Sequence, residues 1–162
     1  MAEKHLPSQR TSARLSRRGL LALGGIGVVT AGAFAARWFN IWADTGGNAL
    51  SAPDAHAAAV AGDILLVDIR RPDEWARTGV GEGAVPLDMR RDDFVEALLS
   101  EVQRDTNRPV ALICARGVRS RHLSARLLDA GFTRIIDVPE GMLGSGAGPG
   151  WVKRGLPVQK VG

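Results

Sequence analysis

The chain holds one cysteine, Cys114, and that cysteine stands among cations. Arg116 and Arg119 follow it closely, Arg121 lies just beyond, and Gly117 falls between them. A thiolate is a strong nucleophile, and nearby cations or a helix N-terminus favour that ionised form. Glycine lets the backbone turn so that successive N–H groups converge on one anion. The pattern points to a nucleophilic thiolate inside a cradle for a small oxyanion. An isolated cysteine is more often a small buried hydrophobe. The glycine and the two arginines around Cys114 tip the reading toward chemistry.

The elements on either side would place these residues. Val110 to Ile113 is a short apolar run with β-branched ends, which predicts a buried strand ending at Cys114. Ser120 opens a helical pattern in which Leu123, Leu127 and Leu128 are expected on one face, and Gly131 closes it. The cysteine thus sits where a strand hands over to a helix. A helix N-terminus there presents unpaired N–H groups and a partial positive charge, both suited to an anion.

Cys114-Ala115-Arg116-Gly117-Val118-Arg119-Ser120 resembles the active-site loop of the rhodanese (sulfurtransferase) family: Cys, four residues, Arg, then a small residue. Protein tyrosine phosphatases use a related loop with five intervening residues and a wider cradle. Leu66-Val67-Asp68-Ile69-Arg70 with Asp73-Glu74-Trp75 looks like the family's early Asp-x-Arg segment. Glu140-Gly141, Trp151 and Gly155-Leu156-Pro157 look like its closing segment. The resemblance covers residues 51–162. It implies a single α/β domain, a central parallel sheet with helices on both faces. It also implies that Cys114 accepts sulfane sulfur as a persulfide and that Arg119 steadies the loop and the anionic donor. Arg116 would bind the donor at the rim. The loop N–H groups of Ala115, Arg116, Gly117, Val118, Arg119 and Ser120 would hold the terminal sulfur. Asp68 is expected either to support the loop or to form a buried ion pair with an arginine. Many family members carry Gly-His-Ile-Pro-Gly-Ala after the first helix. Here Gly79-Val80-Gly81-Glu82-Gly83-Ala84 stands in its place, which alters the rim on that side.

At 162 residues, the chain has room for one ordinary domain and an appendage. Lys4, Arg10, Arg14, Arg17 and Arg18 against Glu3 account for the whole net charge of +4, and the remainder balances. Nucleic-acid binding by the folded part therefore has no electrostatic support. A single cysteine makes no internal disulfide. The sequence has no CxxC and no zinc spacing, and His5, His56 and His122 are scattered. We expect no metal and no cofactor.

Arg17-Arg18 directly precedes an uncharged apolar run, residues 19–36. This looks like a twin-arginine export signal over residues 1–42, followed by a linker over 43–50. The run approaches the ~20 residues a bilayer crossing needs, and Trp38, Phe39 and Trp42 suit a membrane interface. Residues 19–42 are expected to be an anchor helix if the signal is retained. The expected location is the periplasm, soluble or on the outer face of the inner membrane.

Further along, Ser51-Ala52-Pro53-Asp54 starts a helix that Gly62 stops. Residues 64–70 are a central parallel strand, and Pro72 starts a short helix. Residues 78–83 are a loop, and 84–87 a weak strand. Residues 92–104 form an amphipathic helix with Phe94, Leu98 and Val102 as its stripe, and 133–138 another strand. The glycines of residues 140–150 predict a flexible loop. The leading expectation is a sulfurtransferase moving sulfane sulfur from thiosulfate or a persulfide to a thiol or cyanide. Against it stand a non-catalytic binding module of the same fold at the membrane and, less favoured by the four-residue spacing, a small phosphatase or arsenate-handling enzyme.

Overall fold

A computed structural model describes residues 48–161. The export signal or anchor expected over 1–42 lies outside the described residues. Among the described residues, no helix is long and apolar enough to cross a membrane.

The chain builds α1 (Ala52–Ala61), β1 (Leu65–Asp68), α2 (Pro72–Thr78), β2 (Val80–Gly81) and β3 (Ala84–Pro86). It continues through α3 (Phe94–Glu101), β4 (Val110–Ile113), α4 (Val118–Asp129), β5 (Ile135–Val138) and β6 (Val158–Gln159). Four parallel strands make the main sheet in the order β3-β1-β4-β5, so β1 and β4 are central. All four residues of each of those two strands are buried, as a sheet covered on both faces requires.

Strand alternation sorts the core into two layers. Leu65, Val67, Val110 and Leu112 pack with Phe94, Leu98, Leu123 and Leu127, so α3 and α4 cover that face. Leu66, Ala111 and Ile113 pack with Ala52, Ala55, Met142 and Trp151, so α1 and the closing segment cover the other. Helix α1 begins at an Ser51 cap with proline in its first turn and ends at Gly62 in the left-handed region.

Several elements differ from expectation for local reasons. Helix α4 starts at Val118, two residues before Ser120, because Gly117 adopts φ 74° and turns the chain into the helix early. Leu128 is exposed, since it lies five residues from Leu123 and has rotated off the buried stripe. Helix α3 stops at Glu101 because Gln103 and Arg104 take positive φ. The loop expected over 78–83 contains β2, which pairs antiparallel with β6 from the far end of the domain. Asn48 to Leu50, the end of the expected linker, runs along β5 and exchanges backbone hydrogen bonds with Asp137.

The glycine-rich stretch is packed rather than loose. A Cβ at Gly144, Gly148 or Gly150 would lie within 2.6 Å of neighbouring atoms. Buried Glu140 accepts hydrogen bonds from Arg154 Nε at 2.7 Å, Gly150 N at 3.1 Å and Ala52 N at 3.2 Å. At these three positions nothing larger than glycine fits, whereas composition alone reads as flexibility.

Candidate active site

Cys114 follows β4 and is 1% exposed. In a parallel α/β sheet the carboxyl ends of the strands face the ligand crevice. The next three residues form the loop, and Gly117 caps α4. Having no side chain, Gly117 gives the first N–H groups of α4 no side-chain cap. The structure thus brings Ala115, Arg116, Gly117, Val118, Arg119 and Ser120 around Cys114 in one turn of chain.

Two neighbours fix this loop from outside. Met142 N donates to Cys114 O at 2.8 Å, and Leu143 N donates to Ala115 O at 2.9 Å. For these bonds to form, Gly141 must lie against the loop backbone. It has φ 64°, and a Cβ there would sit 2.6 Å from the Ala115 carbonyl. Gly141 is visible in the sequence as part of the closing segment, but its contact with the Cys114 loop spans a fold-level distance that spacing does not encode.

Arg119 forms the second tether. Its Nη1 and Nη2 donate to Glu74 Oε2 and Oε1 at 2.8 and 2.7 Å, a bidentate pair between α4 and α2. Burial pushes the Glu74 carboxyl up, but the Arg119 hydrogen bonds, the Arg71 backbone N–H and the charges of Arg119 and Arg70 outweigh it and hold it at about 2. Arg119 is held charged first by Glu74, against burial, and also by the nearby Cys114 sulfur. The guanidinium is thus paired with the Glu74 carboxylate and lies near the Cys114 sulfur. Glu74 is the residue whose role the sequence left unassigned.

Asp68 lies one strand away from the loop, opposite Ile113. Its carboxylate accepts from Arg70 Nε at 2.9 Å and from Nη2, a fully buried pair with Nη2 at 2.6 Å. Arg70 also donates to Thr78 Oγ1 at 2.8 Å and Gly79 O at 2.7 Å, bracing the end of α2. Of the two expectations for Asp68, the hydrogen bonds match the buried ion pair. Arg70 in turn lies beside Glu74, with Nη1 3.5 Å from Glu74 O.

Arg116 reaches across to the glycine-rich segment, with Nη1 3.5 Å from Gly144 O. Beside it a cleft of about 330 Å³ is lined by Arg116, Leu143, Ser145, Pro149 and Lys153. The cleft carries two cations and no carboxylate among these residues, so it suits an anion. On the altered rim, Glu82 pairs with His56 at 2.8 Å, and the His56 ring meets Trp151 edge-on. Among the described residues, no cluster of His, Cys, Asp or Glu is arranged to hold a metal ion.

The rhodanese-like domain family model matches residues 51–144, more than half of the chain. The chain belongs to that family. Its sequence is 33% identical to a sulfurtransferase of Allochromatium vinosum over 96 residues, 59% of this chain and 78% of that one. It is 32% identical to the tRNA uridine(34) hydroxylase of Nitrobacter hamburgensis over 91 residues, but spans only 35% of that protein. The polysulfide-sulfur transferase homodimer of Wolinella succinogenes has a similar structure, with TM-score 0.51 and 27% identity over 70% of this chain and 78% of that one. This rhodanese-like domain thus has sulfurtransferases among its relatives.

Proposed function

We propose that this protein is a sulfurtransferase that carries sulfane sulfur on Cys114. The observation that carries the reading is the six-residue loop from Cys114 to Arg119, closed by a helix N-terminus on one side and by the Arg119–Glu74 pair on the other. The Cys114 thiolate attacks the outer sulfur of thiosulfate. A sulfur–sulfur bond forms to Cys114, the donor's own sulfur–sulfur bond breaks, and sulfite leaves with that bond's electron pair. An acceptor thiolate or cyanide then attacks the terminal sulfur and restores the Cys114 thiolate, giving a small persulfide or thiocyanate. A low-molecular-weight persulfide serves as donor in the same way, with a thiolate leaving.

Each residue has a role in this sequence. The N–H groups at the start of α4 stabilise the negative terminal sulfur, an electrostatic role of the oxyanion-hole kind. Arg119 holds the loop and adds positive charge at the sulfur. Arg116 and Lys153 draw the anionic donor into the cleft beside the loop. The four residues between Cys114 and Arg119 leave room for one sulfur atom and too little for a phosphate.

Thiosulfate treatment of the purified protein should add the mass of one sulfur atom, and cyanide or a small thiol should remove it. Cys114→Ser should abolish both steps with the fold intact. A native protein that never gains sulfur but hydrolyses aryl phosphates would overturn this reading.

Arg17-Arg18 and the apolar run after them support a further part of the proposal, that the domain works outside the cytoplasm. Replacing both arginines with lysine should block export. Appearance of the double variant in the periplasm at the normal yield would rule out the twin-arginine route.

A further inference from the structure

The cleft beside the Cys114 loop has room for more than thiosulfate. Its volume is about 330 Å³. Pockets that hold whole organic ligands begin at about 300 Å³. Arg116 and Lys153 line it from two separate segments, with Leu143 and Pro149 as an apolar wall. Backbone hydrogen bonds tie these walls to the loop. Leu143 N donates to Ala115 O at 2.9 Å, Met142 N donates to Cys114 O at 2.8 Å, and Val152 N donates to Met142 O at 3.1 Å. Lys153 directly follows Val152 and stands between two anchored residues. Trp151 before it is fully buried, and after it Arg154 Nε donates to buried Glu140 at 2.7 Å. Arg154 is thereby committed to Glu140, whereas among the described residues no carboxylate pairs with Lys153. Cys114 itself is buried, so only a slim group reaches its sulfur.

We propose that Lys153 determines acceptor specificity, selecting thiols that carry a carboxylate at the end of a short unbranched chain. The inference deepens the sulfurtransferase reading and rests on Cys114 holding the transferred sulfur. The slim thiol end enters the loop, the methylenes lie along Leu143 and Pro149, and the carboxylate meets Lys153 and Arg116. The acceptor thiolate then forms a bond to the terminal sulfur. The bond from that sulfur to Cys114 breaks, and Cys114 keeps its electron pair as a thiolate. The carboxylate makes and breaks no bond; it holds the acceptor in place. Its attraction to Lys153 acts at a solvent-exposed site, so it is modest and weakens with salt. Arg119 acts on the sulfur whichever acceptor arrives, whereas Lys153 acts on the acceptor's far end.

The probes are γ-mercaptobutyrate and its methyl ester, which share a thiol and a chain and differ in charge. Full-length protein loaded with sulfur from thiosulfate should discharge to the carboxylate with the higher kcat/KM, the difference lying in KM. Lys153→Met should cut the carboxylate-to-ester ratio about threefold, the scale of an exposed charge pair. Lys153→Glu should cut it further, and Lys153→Arg should keep it. Added salt should shrink the wild-type ratio. Lys153 is exposed, so none of these changes disturbs the core. A ratio equal in wild type and Lys153→Glu would overturn the inference. A second measurement needs no sulfur transfer. Carboxyethyl methanethiosulfonate and its hydroxyethyl analogue each form a disulfide with a thiolate, and with one cysteine in the chain the mass gain reports Cys114 alone. The ratio of their rates should fall in the same order, from wild type and Lys153→Arg through Lys153→Met to Lys153→Glu. A protein that keeps this order but takes up no sulfur counts against the sulfurtransferase reading. Sulfur uptake with both ratios indifferent to position 153 overturns the specificity inference alone.

Discussion

The Glu74–Arg119 pair joins α2 to the start of α4 beside the Cys114 loop through two short hydrogen bonds, and it is partly shielded from water, with side chains 12% and 32% exposed. Its pH dependence has a definite sign. The folded Glu74 carboxyl sits at about 2, below its usual 4.5. A depressed carboxylate stabilises the fold fully above the unfolded value and loses that contribution as pH falls through the folded one. Glu74→Gln should therefore lower stability by roughly 1–3 kcal/mol at neutral pH. Urea unfolding should show this gap between wild type and variant closing as pH drops from about 4.5 toward 2. A gap that stays constant over that range would mean the carboxylate charge contributes nothing. The same variant should slow sulfur uptake, because Arg119 loses the partner that holds it beside Cys114.

Among the elements, a demanding contact is between the glycine-rich segment and the Cys114 loop. Gly141 has φ 64° and no space for a Cβ, which would meet the Ala115 carbonyl at 2.6 Å. Gly141→Ala should cost on the order of 2–4 kcal/mol from backbone strain and overpacking together. Sulfur uptake should fall with it, since Met142 N and Leu143 N are drawn off the loop. Gly155→Ala is the control. It shares a positive φ of 68° but meets nothing within 4 Å. Its cost should be about 1 kcal/mol, and uptake should be untouched. Thermal unfolding and single-turnover uptake on both variants separate the two. Loop length belongs to the same scale. One residue inserted between Gly117 and Arg119 should weaken sulfur uptake and admit a larger oxyanion, seen as new hydrolysis of an aryl phosphate.

At the scale of the whole domain, Trp151 joins the closing segment to β2. It is fully buried, its Nε1 donates to Pro157 O at 2.8 Å, and its ring lies so close to Gly81 that a Cβ there would stand 2.7 Å away. The β2–β6 pair forms on the same side. Trp151→Ala should destabilise the domain by about 3–5 kcal/mol. Denaturant unfolding should register this as an earlier midpoint with an unchanged slope, because the surface exposed on unfolding is nearly the same.

The sequence by itself determined what is local. The apolar runs within 64–70 and 110–113, the Ser51 cap, the buried stripe of Phe94, Leu98 and Val102, and the strand–loop–helix around Cys114 all depend on residues within a few positions of one another. Periodicity and capping encode such features directly. Tertiary structure decided what joins distant segments. Glu74 meets Arg119 across 45 positions, and Glu140 meets Ala52 across 88. Gly141 presses on Ala115, β2 finds β6, and β5 lies beside β4. The glycine-rich segment shows the difference most plainly. Composition records that its residues can bend, whereas the packing leaves no room for a Cβ at Gly144, Gly148 or Gly150. Chain propensity is a property of neighbours in sequence, and steric exclusion is a property of neighbours in space.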